Sequence, residues 1–322
     1  MDKLLQILAD GRDHSGEALG EALGISRTAV WKQVKRLLDV GVPVESRRGR
    51  GYRIPGGLDL LDKIQLEQAL GPGAGSVHSC LNLYGVVTST NDIARQLAEQ
   101  RNASGTVILA EQQTAGRGRR GRRWVSPMGR NLYLSVVWGF EGGVRAIEGL
   151  SLAVGVAVRR ALVSHGIEDL TFKWPNDLYW EYKKLGGILL EVLGDPAGFC
   201  QVVIGVGINL NMSRDDAGEI GQDWADINDI AKKSLSRNAL AGAVISELFD
   251  MLADYDRLGF SAYRDEWRQY DAFSDQPVTL MLMDRAIDGV ARGVDASGGL
   301  LVEVNGELQT FAGGEISVRR AR

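Results

Sequence analysis

No run of about 18 consecutive apolar residues occurs in the chain, so no membrane-spanning helix is expected. The opening MDKLLQILADGRDHS has neither the apolar core nor the small-residue cleavage site of a signal peptide. It reads as a short amphipathic helix of a protein that stays in the cytoplasm. Cysteine is scarce: Cys80 and Cys200 lie far apart in apolar stretches and match no metal-ligand spacing. Reduced, buried thiols are expected, not a disulfide or a metal site. The three histidines, His14, His78 and His165, are scattered, and no Ser/His/Asp or Cys/His constellation emerges. At 322 residues, 44% hydrophobic and 24% charged, the composition is that of a soluble globular protein with room for two or three domains.

Charge is unevenly placed. The total is −4, yet Ile25 to Arg53 carries eight basic residues against Asp39 and Glu45, a local +6 that leaves −10 for the rest. A basic face on an acidic protein suggests a local polyanion partner. The first sixty residues read as three helices and a hairpin. Leu4, Leu5, Ile7 and Leu8 stripe the first helix; Ser15 starts the second, with Leu19 and Leu23 inward and Gly24 as its stop. Ser26 caps the third, where Ala29, Val30, Val34, Leu37 and Leu38 fall at core spacing, and Gly41 ends it. VPVESRRGRGYRI then looks like a hairpin with a basic tip. A helix-turn-helix needs a polar cap followed by basic and small outward side chains, which Ser26, Arg27, Thr28, Lys32, Lys35 and Arg36 supply. Arg47, Arg48 and Arg50 of the hairpin would sit beside a duplex as a wing touching phosphates. The competing reading is a solvated face on a helical bundle; the joint charging of helix and wing favours DNA.

Downstream, strands are expected at Leu81–Val87, Thr106–Glu111, Leu132–Trp138, Thr171–Trp174, Lys184–Leu193 and Gln201–Leu210. Helices are expected at Asn91–Arg101, Ile147–His165 and Ala239–Tyr270. Strands joined both directly and through helices predict a mixed sheet with helices on one face. From Gln276 onward, short strands separated by MD, ASGG and NGE turns predict a small β-barrel.

The densest chemical signal is Gln113–Trp124, with five arginines, three glycines and no acidic residue. Guanidinium groups fork onto carboxylate and phosphate, and glycines let backbone approach a ligand. Repulsion among the arginines should keep the empty loop open until an anion orders it. Arginine-glycine segments in disordered tails bind nucleic acid nonspecifically. This one lies between two strong strands, which favours a small anionic ligand.

GRGRRGRRW, KWPNDL, KKLGGIL and GVGINLN, in this order, resemble the biotin–protein ligase family. With the winged helix in front, the chain is similar to the family's bacterial bifunctional members, which act as ligase and biotin-operon repressor. The resemblance spans essentially the whole chain. It implies a multidomain α+β protein: a winged helix-turn-helix at 1–60, and a central mixed-sheet α/β catalytic domain at 66–270 like that of class II aminoacyl-tRNA synthetases. A small Src-homology-3-like β-barrel at 271–322 completes it. It also implies ATP-dependent activation of biotin to biotinyl-5′-AMP, then transfer to a lysine of a biotin carboxyl carrier protein, the acetyl-CoA carboxylase subunit. Operator DNA is the other partner, a homodimer forms when the adenylate is bound, and no membrane is involved. No protein nucleophile is needed, since both steps rest on positioning and charge neutralisation.

Carried over position by position, the resemblance gives Ser89, Thr90 and Asn91 to biotin's ureido ring, although a plain helix cap is also read there. Gln113 contacts biotin; Arg117, Gly118 and Arg119 form the ligand-binding core of the loop, facing carboxylate and phosphates. Arg120, Arg122 and Arg123 close or tune it, and Trp124 is a packing anchor. Pro175 fixes a turn that aims Asn176 and Asp177 at the phosphates and at the Mg2+ that arrives with ATP; no direct protein metal site is expected. Lys184 neutralises carboxylate and α-phosphate and, with Arg119, is the catalytic candidate. Lys183 points the other way on its strand. Gly186 and Gly187 let the strand pass close to biotin. Asn209 contacts adenine, and Trp224 covers the adenylate or anchors its loop. Gly205-Val-Gly207-Ile-Asn209 lacks the third glycine and helix start of a dinucleotide loop. Three other readings stay open, one of them a ligase with a vestigial winged helix and no repression, against which the +6 patch speaks. Lipoate or octanoate transfer lacks its usual Arg-Arg-x-x-Gly-Gly-Gly motif here. A DNA-binding sensor without catalysis sits poorly with an intact Lys184 and arginine loop.

Overall fold

The amino-terminal region folds as three short helices, the second and third started by serine caps. The computed structural model describes residues 3–71, 80–212, 218, 220–282, 285–313 and 316–320; His78 and the Met283–Asp284 turn lie outside them. Helices α1 (Lys3–Leu8), α2 (Gly16–Leu23) and α3 (Arg27–Asp39) pack through Leu4, Leu8, Leu19, Val30, Val34 and Leu37. Ser15 Oγ accepts from Ala18 N at 3.0 Å and Ser26 Oγ from Ala29 N at 3.2 Å. Gly24 ends α2 at φ 66°, a left-handed cap that glycine takes without strain. Leu38, expected inward, is exposed: it lies about 100° round the helix from buried Leu37, off the inner stripe. Strands β1 (Glu45–Arg47) and β2 (Gly51–Arg53) pair antiparallel as the wing. His14 clasps the wing from the other side, exchanging two backbone hydrogen bonds with Tyr52 at 2.9 Å.

The central sheet runs β3 (Leu81–Val87), β4 (Val107–Gln113), β5 (Leu132–Phe140), β9 (Cys200–Ile208), β8 (Lys183–Gly194), β7 (Asp177–Trp180), β6 (Thr171–Lys173). Only β3 and β4 are parallel, joined by α5 (Thr90–Gln100); the other neighbours are antiparallel. Alternate residues of each strand go to opposite faces. Val107, Leu109, Leu134, Val136 and Val202 meet a helical layer, whereas Ile108, Val137 and Val203 meet Ala94 and Ala98 of α5. That layer is α4 (Lys63–Ala69), α6 (Leu150–Val163), α8 (Arg237–Leu258) and α9 (Arg264–Gln269). Helices therefore cover both faces, where one was expected. The long helix expected at Ala239–Tyr270 is two: Gly259, at φ 58°, breaks it. The pattern hid the break because Tyr263 and Trp267 resume the buried periodicity beyond it. Short α4, α7 (Ile227–Ala231) and β7 were not expected; β7 begins at Asp177, inside what reads as a turn.

Arg237 and Glu111, 1% and 0% exposed, form a buried ion pair at 2.5 Å. Arg237 also donates to Asp59 O and Asn131 O, and Glu111 Oε1 accepts from Leu61 N at 2.6 Å. The segment linking winged helix to sheet is thus fixed by a desolvated charge pair. Gln112 Nε2 donates to Val40 O at 2.7 Å, and Met128 joins the apolar cluster of the winged helix.

The last strands are β10 (Pro277–Met281), β11 (Ala286–Val294), β12 (Leu300–Val304), β13 (Glu307–Phe311) and β14 (Ser317–Arg320). They form an antiparallel sheet in the order β13-β12-β11-β10-β14. Its edges, β13 and β14, do not pair with each other among the described residues, so closure into the expected barrel is not seen in the strand pairing. The chain reaches it along β6: Phe172 N donates to Tyr270 O at 2.7 Å and Ala272 N to Phe172 O at 2.8 Å. Trp174 Nε1 adds a bond to Gly298 O at 2.9 Å.

Asp271 is held in this junction. Its Oδ1 accepts from Phe273 N at 3.0 Å, while Oδ2 is buried without a partner. Burial pushes its carboxyl from 3.8 up to about 6. The folded state therefore holds this proton more tightly than the unfolded chain. The stability contributed is complete below 3.8 and is lost as pH rises through about 6. Asp271→Asn keeps the acceptor and removes the charge. It raises unfolding free energy at pH 7.5 by about 1–3 kcal/mol, with roughly half that gain at pH 5. Denaturant titrations at the two pH values check it; a pH-independent difference would refute this origin.

Candidate functional site

A cavity of about 690 Å³ opens over the ends of β8 and β9, between the arginine-glycine loop, the start of α5, the 173–177 turn and the end of β14. Its floor is made of glycines for a steric reason. A Cβ on Gly205 would collide with the Asn91 amide, and one on Gly207 would meet the Trp124 ring at 2.6 Å. Gly187 faces Trp124 and Lys184 at ordinary contact distance, whereas Gly186 turns to Leu178 and the Gly207 carbonyl. The Gly-Val-Gly-Ile-Asn motif thus makes room for two side chains of the cavity wall.

At one end, Ser89, Thr90 and Asn91 are all buried. Ser89 is the N-cap of α5 by position but makes no side-chain cap bond. Gln113 supplies that bond instead: its Oε1 accepts from Thr90 N at 2.8 Å, and its Nε2 reaches Ser126 Oγ at 3.1 Å. Ser135 Oγ lies 2.7 Å from both Thr90 Oγ1 and Asn91 Oδ1, and Asn91 Nδ2 donates to Glu191 at 2.7 Å. The helix start is thus capped through Gln113, not through the Ser89 hydroxyl. The result is a rigid cluster of alternating donors and acceptors, suited to a small ring bearing both.

The loop is folded, not splayed. Gly118 N donates to Arg122 O at 2.7 Å and Trp124 N to Gly116 O at 2.8 Å, with Arg119–Gly121 as one short turn between. Repulsion among the arginines is offset by two acids absent from the sequence expectation. Arg117 pairs with Asp92 at 2.6 Å and lies 3.6 Å from Glu191. The Arg117 guanidinium holds the Asp92 carboxyl below its ordinary value. Arg119 Nη1 donates to Asn176 Oδ1 at 3.3 Å, and burial lowers its affinity for its proton. Arg120, Arg122 and Arg123 line the outer wall.

Lys184 Nζ lies 2.7 Å from Asp177 Oδ1 and 5.5 Å from the Trp124 ring centre. Its backbone is held on both sides, by β7 and by Asp223 O and Ala225 N. Lys183, one residue back, is exposed over Trp180, as strand alternation demands. Asn176 is fully committed, its Nδ2 donating to Ile188 O at 2.7 Å. Asn209 lines the cavity while its Nδ2 donates to Lys184 O at 3.4 Å and to Ala225 O at 3.2 Å. Trp224 bridges to Lys184 and also lines the cavity. Trp124 does more than anchor a strand: its ring is part of the wall under Lys184.

Lys173 and Arg319 complete the wall, and neither was singled out by the sequence. Lys173 Nζ meets the Tyr179 hydroxyl at 2.9 Å, and burial lowers its pKa. A signal existed for Lys173, the first letter of KWPNDL, and for Glu191, a carboxylate inside an otherwise apolar strand. Arg319 arrives from a remote sheet and had none.

A second face lies on the winged helix. Arg27, Thr28, Lys32, Lys35 and Arg36 are exposed along α3, and Arg48 and Arg50 at the wing. Arg47 is different: it turns back onto Asp13 at 2.9 Å, holding the wing to the helices. Ser26 serves as the cap. Trp31, 52% exposed with Lys35 Nζ 5.9 Å from its ring centre, joins the face unannounced by charge counting.

Comparison with known proteins agrees with this geometry. Residues 83–209 match the Biotin/lipoate A/B protein ligase family, residues 1–53 an HTH domain, and residues 273–319 the Biotin protein ligase C terminal domain. The chain is 42% identical over 319 residues to a Salmonella typhimurium protein named Bifunctional ligase/repressor BirA, covering 99% of this chain and 97% of that one. The Escherichia coli protein of the same name is 41% identical over 320 residues, again covering 99% and 97%. Among solved structures, biotin protein ligase from Aquifex aeolicus in complex with biotin and ATP superposes with a TM-score of 0.65 at 29% identity, over 75% of this chain and 99% of that one. With cationic cavity, glycine floor and winged helix in one chain, the protein belongs to the biotin protein ligases of the Biotin/lipoate A/B protein ligase family, alongside the bifunctional ligase/repressors.

Proposed function

We propose that this chain joins biotin to ATP and passes the biotinyl group to a lysine of a biotin carboxyl carrier protein, and that its adenylate-bound form represses biotin synthesis at operator DNA. The observation that carries the reading is the convergence of Arg117, Arg119, Lys173, Lys184 and Arg319 on one cavity beside a polar cluster, with no cysteine or histidine in its wall among the described residues. In the first step a biotin carboxylate oxygen attacks the α-phosphorus of MgATP and pyrophosphate leaves. In the second, the acceptor amine attacks the acyl carbon, and AMP and a proton leave. Each step brings anions together, so preorganised cations are the catalytic device.

Ser89, Thr90, Asn91 and Gln113 take the ureido ring, with Gly118 and Gly187 leaving space for the bicycle. Arg117, Arg119 and Lys184 take the carboxylate and α-phosphate; Arg117 does so by exchanging Asp92 for the ligand. Arg120, Arg122, Asn176, Asn209 and Trp224 bound the nucleotide. Mg2+ would enter with the triphosphate and supply charge neutralisation there, while Asp177 stays paired with Lys184 at 2.7 Å. The labour divides among residues 1–60, 66–270 and 271–322, the last a small barrel of the Src-homology-3 kind lending Arg319. Arg27, Thr28, Lys32, Lys35, Arg36, Arg48 and Arg50 face DNA, Ser26 caps their helix and Arg47 steadies the wing. Two half-sites are met by a homodimer of the adenylate-bound chain, acting in the cytoplasm; sedimentation with and without biotin and MgATP tests that assembly.

The deciding experiment incubates the protein with MgATP, biotin and a biotin-acceptor domain and weighs the acceptor. The expected result is a biotinyl mass increment that requires ATP. An increment with lipoate or octanoate but not biotin would transfer the reading to those acids. No increment with any of the three would leave a DNA-binding sensor.

A further inference from the structure

β7 and β8 are joined by two residues, Glu181 and Tyr182, with Trp180 paired to Lys183 across the turn. Both turn residues have positive φ, 46° and 62°. Turns of this kind normally use asparagine and glycine, and a bulky aromatic there is strained. The contacts that offset the strain come from the carboxy-terminal side of the chain. The Tyr182 ring stacks on Phe273 with centroids 6.3 Å apart, and the Arg320 guanidinium sits 5.0 Å from its centre.

Those two contacts matter because of where Arg320 sits. β14 is an edge strand, hydrogen-bonded to β10 alone among the described residues. Successive residues of a strand point to opposite sides. Arg320 goes to Tyr182, while its neighbour Arg319 lines the cavity. Tyr182 is itself two residues from Lys184. One ring therefore touches the strand that delivers one cation and ends the turn that sets another.

We propose that Tyr182 is a positioning residue for the nucleotide: its ring seats β14 over the cavity and so holds Arg319 toward the phosphates. The inference rests on the reading of the cavity as an ATP site. Stacking and cation–π contacts of this kind together correspond to about a tenfold effect on an equilibrium. Tyr182→Gly suits the turn's backbone and removes the ring; it weakens MgATP binding about tenfold and leaves biotin binding unchanged. Tyr182→Phe keeps the ring and restores wild-type affinity. Arg320→Ala, on an exposed strand edge, weakens MgATP binding about threefold to fivefold on the same grounds. Adding it to Tyr182→Gly gives no further loss, because the two act through one contact.

The measurement is isothermal titration of the full-length chain with MgATP and, separately, with biotin. Unchanged MgATP affinity in Tyr182→Gly, or in Arg320→Ala should the first variant fail to fold, overturns the proposal. So does an equal loss for both ligands, which is what general loosening produces. A wild-type chain that binds no MgATP overturns the nucleotide-site reading and the clasp together; normal wild-type binding with unaffected variants overturns the clasp alone.

Discussion

Lys184→Ala lowers the rate of biotin-dependent pyrophosphate release by about two to three orders of magnitude, the loss typical when a preorganised group facing developing charge is removed. The geometry explains why no neighbour substitutes. Lys184 is fixed by β7 on one side and the 223–225 segment on the other, and its ammonium hangs over the Trp124 ring within 2.7 Å of Asp177. The other cations belong to a loop or to turn and edge segments, which define less sharply where the reacting oxygens meet. Deleting Lys184 also strands Asp177, 15% exposed, as a negative charge facing incoming anions. The double variant Lys184→Ala/Asp177→Asn therefore recovers MgATP affinity relative to Lys184→Ala without recovering the rate. Pyrophosphate release and nucleotide titration on the three proteins separate the two effects. A single variant within about tenfold of wild type would remove Lys184 from the chemistry.

Arg237→Ala destabilises the folded chain by about 3–5 kcal/mol, because it leaves Glu111 charged and unpaired at 0% exposure. The guanidinium also satisfies the carbonyls of Asp59 and Asn131, so its loss unties the linker as well as the strand. The double variant Arg237→Met/Glu111→Leu replaces both charges with apolar groups of similar length. It recovers most of the loss, since desolvation of the pair and its mutual attraction nearly cancel. Equilibrium denaturation followed by tryptophan fluorescence measures both. A loss below about 1 kcal/mol in the single variant would mean that water reaches Glu111 when Arg237 is gone.

Much of this was legible in the residues. Caps at Ser15 and Ser26 and alternating strands around Leu109 and Val136 obey local rules that need no tertiary information. The motif residues lie where the cavity forms because glycine, arginine and lysine were required by its walls. What was not legible depends on contacts remote in sequence. Gly259 inside a continuous apolar pattern, Leu38 one step off the inner face, and β7 starting at Asp177 are decided by packing partners. Asp92 and Glu191 escaped notice because an acid matters to an arginine loop only once the chain brings it within reach. Arg47 likewise reads as a phosphate contact until Asp13, 34 residues earlier, is seen beside it.

The apolar centre of the winged helix is completed by Met128, a side chain contributed from beyond the linker, 4% exposed, with Gly129 against Leu58. The amino-terminal module is consequently not interchangeable cargo. Severing the chain in the Gly56-Gly57 stretch would leave a methionine-sized notch in one fragment and a greasy knob on the other. A recombinant winged helix prepared alone would need a redesigned seam, and a transplanted one would need its host to supply a matching plug.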